Sequence, residues 1–190
     1  VFDGTRPAPQ TYVENDKTGP LSWYGRTKLD GEKAVIENAG RFVILRTARM
    51  YSRHGRNFPK TILKLALANP DKPLRVVNDQ HGSPTYAPRL VIQIARMLDA
   101  GCQGIYHAAG AGHCTWHELA RRFLEFMKIE HELIPCPAAE YPTPARRPMN
   151  SALENRNLSA AGINMMRPWE TDLAEFAADF RDELIGEASG

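Results

Sequence analysis

Two side chains that can move a proton lie four positions apart near the start of the chain, Tyr24 and Lys28. Positions four apart on a helix lie one turn apart on the same face, so the Lys28 ammonium can stabilise the phenolate of Tyr24. This would lower the pKa of Tyr24 from its usual value of about 10. Tyr24 is therefore a candidate acid or base near neutral pH, although the same spacing also occurs on ordinary exposed helix faces.

The segments around this pair alternate between helix and strand patterns. Residues 4–21 are rich in Pro and Gly and predict a long loop, and a helix is expected over about 22–38. The continuous apolar run at 42–45 is typical of a strand buried on both faces of a parallel sheet. Further helices are predicted at about 57–68, 88–98, 115–127 and 168–185, and further strands near 74–77, 105–108 and 132–135. This alternation indicates an α/β fold.

Thr115 and Glu118 have the spacing of a capping box, which predicts that a helix begins at about residue 115. His113 would then lie outside the helix that carries His117. The two histidines are therefore not expected to share a helix face and bind a metal ion, although their spacing is compatible with one.

The composition is that of an ordinary globular protein, with 43% hydrophobic and 24% charged residues. The formal net charge is +2 and the basic residues are interspersed with acidic ones, so a nucleic-acid partner is not indicated. A membrane span is not expected, because no apolar run approaches about 18 residues. Three separated cysteines, Cys102, Cys114 and Cys136, predict reduced thiols and a cytoplasmic protein.

Six motifs follow one another along the chain: Tyr24-Gly-Arg-Thr-Lys28, Leu45-Arg46-Thr47, Asn57-Phe58, Asp79-Gln80-His81-Gly82-Ser83-Pro84-Thr85, Thr115-Trp116-His117-Glu118 and Arg146-Arg147-Pro148-Met149-Asn150-Ser151-Ala152-Leu153. In this order and at these separations they resemble the dTDP-4-dehydrorhamnose reductase family, which is part of the extended short-chain dehydrogenase/reductase superfamily. The fourth and sixth motifs are the more specific ones.

The resemblance implies the C-terminal part of a Rossmann-like doubly wound parallel sheet, together with a smaller substrate-binding α/β region, as one unit over residues 1–190. It also implies an upstream βαβ region, whose Gly-rich turn holds a dinucleotide, and a Ser or Thr hydroxyl shortly before Val1. We therefore expect a fragment that lacks the N-terminal cofactor-binding half and that is inactive and binds dinucleotides weakly on its own.

The activity implied by the resemblance is hydride transfer from NADPH or NADH to the 4-keto group of a dTDP-4-dehydro-6-deoxy sugar, as in the reduction of dTDP-4-dehydrorhamnose to dTDP-rhamnose. This reaction serves the synthesis of surface polysaccharides. Tyr24 would protonate the developing alkoxide, and Lys28 would also hydrogen-bond the nicotinamide ribose, so both are candidate catalytic and cofactor-binding residues. The sequence leaves a Mg²⁺ requirement and a homodimer open.

Candidate substrate-binding residues are Asn57, Gln80 and Arg147, which lie in the family-like segments, and arginine suits bidentate phosphate contacts. Further arginines that could contact a phosphate are Arg46, Arg53, Arg56 and Arg146. The family typically has Ser-Trp-Val-Tyr after the Leu-Arg-Thr motif, whereas residues 48–51 here read Ala-Arg-Met-Tyr. Arg49 thus replaces a Trp that is expected to pack on the sugar, which makes Arg49 a candidate and leaves the sugar undetermined.

Two other functions fit the same motifs. The regulatory subunit of methionine adenosyltransferase resembles these reductases but acts as a binding partner, and the Arg49 departure leaves room for such a role. A nucleotide-sugar epimerase or dehydratase that uses bound NAD is the third alternative. The reductase-like segment at 79–85 favours the reductase over this third alternative.

Overall fold

The computed structural model describes residues 1–141 and 147–189. In these two ranges, six helices alternate with short strands in a mixed α/β fold. The helices are α1 (Trp23–Asn38), α2 (Phe58–Ala68), α3 (Ala87–Asp99), α4 (Trp116–Met127), α5 (Arg156–Ala160) and α6 (Trp169–Ser189), with a 3₁₀ turn at Ala138–Glu140. The strands are β1 (Val43–Arg46), β2 (Met50–Tyr51), β3 (Leu74–Val77), β4 (His81–Gly82), β5 (Thr85–Tyr86), β6 (Gly104–His107), β7 (Cys114–Thr115), β8 (Leu133–Cys136) and β9 (Asn150–Ser151).

Most strand pairs are parallel. β1 pairs with β6, β2 with β5 and β3 with β8, all in parallel. The remaining sheet has the order β7-β4-β9, in which β4 is antiparallel to β7 and parallel to β9. Helical crossovers between parallel strands are the arrangement that the alternating sequence pattern predicts.

Successive side chains of β1 contact different helices, α3 on one face of the β1–β6 pair and α1 on the other. Leu45 packs into a small cluster with Met97 of α3 and Leu158 of α5. The next side chain, Arg46, points the other way and pairs with Glu32 of α1.

The main hydrophobic core lies where α2, α4 and α6 meet. Leu63, Phe123 and Phe176, one from each helix, are fully buried there. An apolar stripe on α6 lies in this core, with Phe180 only partly buried at its margin. In full, this stripe consists of Trp169, Leu173, Phe176, Phe180 and Leu184.

The helix starts follow their caps. Ser22 Oγ accepts from the Gly25 backbone N–H and begins α1, and the capping box of Thr115 and Glu118 is present as predicted at the start of α4. The two-residue strands and the short α5 were not predicted, because elements this short show no periodicity. The Pro-rich segment 138–148 contains the 3₁₀ turn, and its residues 142–146 lie outside the described residues.

β1 differs from the expectation of a strand buried on both faces. Val43 is 37% exposed, and within the described part of the chain β6 is the one strand that pairs with β1. One edge of this strand is therefore open in the described structure.

In the ranges 1–141 and 147–189, the structure has no helix with the length and apolar character needed to cross a bilayer.

Candidate active site

Tyr24 and Lys28 lie side by side on the first two turns of α1. The Lys28 Nζ is 5.4 Å from the centroid of the Tyr24 ring, so the predicted adjacency is present. Gly25 allows the helix to start close to the preceding loop, because a Cβ at this position would lie 2.6 Å from the Cβ of Pro20. The cap and this close contact together fix where the first turn begins.

Both functional groups of this pair face solvent. Tyr24 is 72% exposed, and among the described residues neither its hydroxyl nor the Lys28 ammonium forms a hydrogen bond. A phenol and an ammonium that are adjacent and unengaged can bind and protonate a ligand placed against this end of α1.

A cavity of about 920 Å³ lies between α2, β3 and the start of α4. Gln80 and Arg147, two of the predicted substrate-binding residues, line it together. Its wall includes two aromatic rings, Phe58 and Trp116, whose centroids are 4.5 Å apart, and a second cation, Arg75. Flat apolar surface beside cationic donors suits a ligand that has both a ring and phosphate groups.

Gln80 is held in a fixed orientation in this wall. The side chain is 8% exposed, and its Oε1 accepts a hydrogen bond of 3.2 Å from the Trp116 indole N–H. Within the described ranges its amide nitrogen has no acceptor. Gln80 can therefore donate to a ligand while Trp116 holds the other end of its amide.

Arg49 was expected to contact the sugar directly, but it is not among the described residues that line the cavity. Its guanidinium stacks on Trp116 at 3.9 Å and donates to the backbone carbonyls of Cys114 and Gln80, each at 2.8 Å. Burial chiefly, together with the charge of Arg147, lowers the pKa of Arg49 to about 10, so that Arg49 remains charged at neutral pH. The structure thus gives Arg49 protein partners, and Arg49 supports the cavity-lining Trp116 by stacking on its ring.

Asn57 is placed at the start of α2, next to the cavity-lining Phe58. Its Oδ1 accepts from the Lys60 backbone N–H at 3.2 Å, and its Nδ2 donates to the Ser52 carbonyl at 2.6 Å. Both ends of the amide are therefore used to cap the helix and hold the preceding loop.

The other arginines considered as phosphate donors have different positions. Arg46 is paired with Glu32, and Arg53 lies 3.8 Å from Glu183. Arg56 is exposed, and Arg146 lies outside the described residues.

The histidines do not converge on a metal site. His113 packs against His81 with ring centroids 5.8 Å apart, whereas the Nε2 of His117 is 3.5 Å from the Leu133 carbonyl. Considering residues 1–141 and 147–189, no group of three or more His, Cys, Asp or Glu side chains could hold a metal ion. The three cysteines are free thiols.

Sequence reasoning missed the aromatic residues of the cavity wall, which are Phe58, Trp116 and Tyr141. Phe58 and Trp116 are the first residues of α2 and α4, directly after the capping residues Asn57 and Thr115. The capping box at Thr115 was predicted, and a helix was predicted to begin at about residue 57. An aromatic residue directly after a helix start is the local signal that could have marked Phe58 and Trp116 as candidates.

Comparison with known proteins gives a consistent family. Residues 1–182 match the family model described as the RmlD substrate binding domain. The chain is 42% identical over 181 residues to a dTDP-4-dehydrorhamnose reductase of Sinorhizobium fredii, a match that covers 90% of this chain and 60% of that relative.

Solved structures show the same relationship. A crystal structure of a dTDP-4-dehydrorhamnose reductase from Clostridium acetobutylicum superposes with a TM-score of 0.89 at 33% identity, covering 95% of this chain and 63% of that one. The Bacillus anthracis dTDP-4-dehydrorhamnose reductase, solved in complex with NADP, superposes with a TM-score of 0.87 at 32% identity, covering 94% of this chain and 62% of that one.

The chain spans about 60% of the length of the curated relatives it matches. The motifs, the Rossmann-like α/β architecture and the matched residues agree with one another. The chain belongs to the RmlD substrate-binding domain family.

Proposed function

We propose that this chain supplies the proton donor and the substrate pocket of an NADPH- or NADH-dependent reductase that acts on the 4-keto group of a dTDP-4-dehydro-6-deoxy sugar. The reaction assigned to it is the reduction of dTDP-4-dehydrorhamnose to dTDP-rhamnose. The observation that carries the proposal is the exposed pair of Tyr24 and Lys28 on α1, in a chain that is 42% identical to a curated reductase of this activity.

The nicotinamide cofactor, when bound, supplies the hydride that forms the new C–H bond at the ketone carbon. Tyr24 donates its hydroxyl proton to the carbonyl oxygen, so that an O–H bond forms on the sugar and the O–H bond of Tyr24 breaks. The adjacent Lys28 ammonium stabilises the phenolate that remains, and solvent returns the proton to it. Among the described residues, the Lys28 ammonium contacts the Tyr24 ring and forms no hydrogen bond or ion pair, which fits a hydrogen bond to the cofactor ribose.

The nucleotide sugar is proposed to bind in the cavity of about 920 Å³. Phe58 and Trp116 offer the flat surface for a base or sugar ring, and the Gln80 amide and the Arg147 guanidinium offer donors to its oxygen atoms. Arg49 and Asn57 are proposed to shape this wall through Trp116 and α2, instead of contacting the ligand as first expected.

The proposal is tested with the protein expressed at its natural full length, because the relatives extend beyond the matched region. NADPH absorbance is followed with dTDP-4-dehydro-6-deoxy-L-mannose, and dTDP binding is measured by calorimetry. We expect oxidation of NADPH and saturable binding of dTDP. A folded protein that binds NADPH but leaves this sugar unreduced would contradict the proposal. The 190-residue chain by itself is expected to show little activity.

A further inference from the structure

Apolar packing does little to fix the orientation of α1. Among the 16 residues of this helix, all of them described, Gly25 is the one that is buried. Trp23, Val35 and Ile36 are exposed, so they do not anchor the helix to the rest of the described chain. Within the described residues, the rotation of α1 about its axis is therefore set mainly by polar contacts.

A buried ion pair makes that connection. Arg46, the last residue of β1, donates from Nε to Glu32 Oε1 at 2.9 Å and from a terminal guanidinium nitrogen to Oε2 at 2.7 Å. The two side chains are only 8% and 10% exposed. In the described residues this is the one ion pair between α1 and another part of the chain.

Arg46 is itself held from two other sides. Its second terminal nitrogen donates to the Glu14 carbonyl at 3.2 Å, and its guanidinium lies 5.2 Å from the centre of the Phe2 ring. The planar group is therefore fixed between the strand, the N-terminal loop and the helix. A guanidinium that bonds a carboxylate through two nitrogen atoms, as Arg46 bonds Glu32, resists rotation as well as separation. A single charge contact resists only separation.

Glu32 shares the face of α1 that carries the proposed chemistry. Tyr24, Lys28 and Glu32 follow one another at intervals of four residues. At 1.5 Å per residue, Glu32 lies about 6 Å along the axis from Lys28 and about 12 Å from Tyr24. A rigid helix clamped at Glu32 has its rotation and axial position fixed at Tyr24 and Lys28 too.

We propose that Glu32 and Arg46 are positioning residues, which set the reacting atoms of Tyr24 and Lys28 relative to the carboxyl end of β1. This inference rests on the proposed function, since it assigns a purpose to the orientation of the proposed proton donor. A buried ion pair is weak evidence for a stabilising role, because the cost of desolvating both charges offsets much of their attraction. What a bidentate pair fixes most directly is the orientation of the two elements that it joins, here α1 and β1.

The test uses Glu32→Asp and Arg46→Lys in the natural full-length protein, because both substitutions keep the charge and change the bidentate geometry of the ion pair. Glu37→Asp, an exposed change on the same helix, is the matched control. We expect each test variant to lower kcat by about tenfold to a hundredfold, as small misplacements of a reacting group do. The affinity and stoichiometry of dTDP binding should stay within about twofold of the wild type, since the cavity is unchanged.

The double variant separates positioning from independent damage. If both residues act through one contact, Glu32→Asp combined with Arg46→Lys lowers kcat no further than the stronger single change. The assignment is overturned if both single variants turn over within about twofold of the wild type. It is also overturned if kcat falls only in proportion to a loss of dTDP-binding sites, since that is the signature of unfolded protein. A wild type without turnover would reject the proposed function itself, and this assignment with it.

Discussion

At the scale of single residues, Arg49 shows how a backbone angle redirects a side chain. Its φ is 44°, in the left-handed region that residues other than glycine rarely adopt. From this position the guanidinium stacks on Trp116 and donates hydrogen bonds to the carbonyls of Gln80 and Cys114. A Cβ on Gly82 would lie 2.4 Å from the Arg49 Nε, so this glycine is needed for the arrangement.

Arg49→Ala is expected to lower the free energy of unfolding by roughly 2–4 kcal/mol, because it leaves buried carbonyls without donors and removes the support of Trp116. Urea denaturation measures the change, with the exposed Arg56→Ala as the control. An unchanged free energy of unfolding together with a raised KM for the sugar would instead show that Arg49 contacts the substrate, as the sequence suggested.

At the scale of secondary-structure elements, local side-chain signals predicted the helices well. The capping box of Thr115 and Glu118 located the start of α4, the predicted starts of α1 and α2 lie within one residue of the observed ones, and β3 has the predicted bounds. What the sequence could not predict depends on contacts between distant segments. The two-residue strand β4, for example, exists because β7 and β9 pair with it on either side. The cavity wall combines α2, β3 and α4 in the same way, and no local pattern brings them together.

The role of Asn57 as the N-cap of α2 can be tested. Asn57→Ser retains an oxygen that can accept from the Lys60 N–H, whereas Asn57→Ala does not. We expect Asn57→Ala to lower the free energy of unfolding by about 1 kcal/mol and Asn57→Ser to change it by less, with KM for the sugar nearly unchanged in Asn57→Ser. Thermal unfolding and steady-state kinetics measure the two effects. An equally raised KM in both variants would show that the amide contacts the substrate.

At the scale of the whole molecule, several apolar surfaces of the described structure are uncovered. Val91 and Leu98 of α3 are 64% and 70% exposed, Trp23 of α1 is 79% exposed, and β1 has an open edge. Exposed apolar patches and free strand edges promote association.

The isolated 190-residue chain is therefore expected to self-associate as its concentration rises, and Val91→Lys combined with Leu98→Lys should weaken this association. Sedimentation velocity at increasing concentrations measures it, with Lys64→Ala on the exposed side of α2 as the control. A chain that stays monomeric at all concentrations would show that these surfaces are too small or too mobile to associate.

Tyr24 is proposed to protonate the sugar oxygen during reduction. The most direct measurement is kcat for NADPH-dependent reduction of dTDP-4-dehydro-6-deoxy-L-mannose by the natural full-length protein and its Tyr24→Phe variant, with Trp23→Phe as the control. We predict that Tyr24→Phe lowers kcat by about a hundredfold or more, the usual contribution of a general acid, while dTDP affinity is unchanged. Retention of more than about half of the wild-type kcat in Tyr24→Phe would contradict the claim, because the proton would then come from another group.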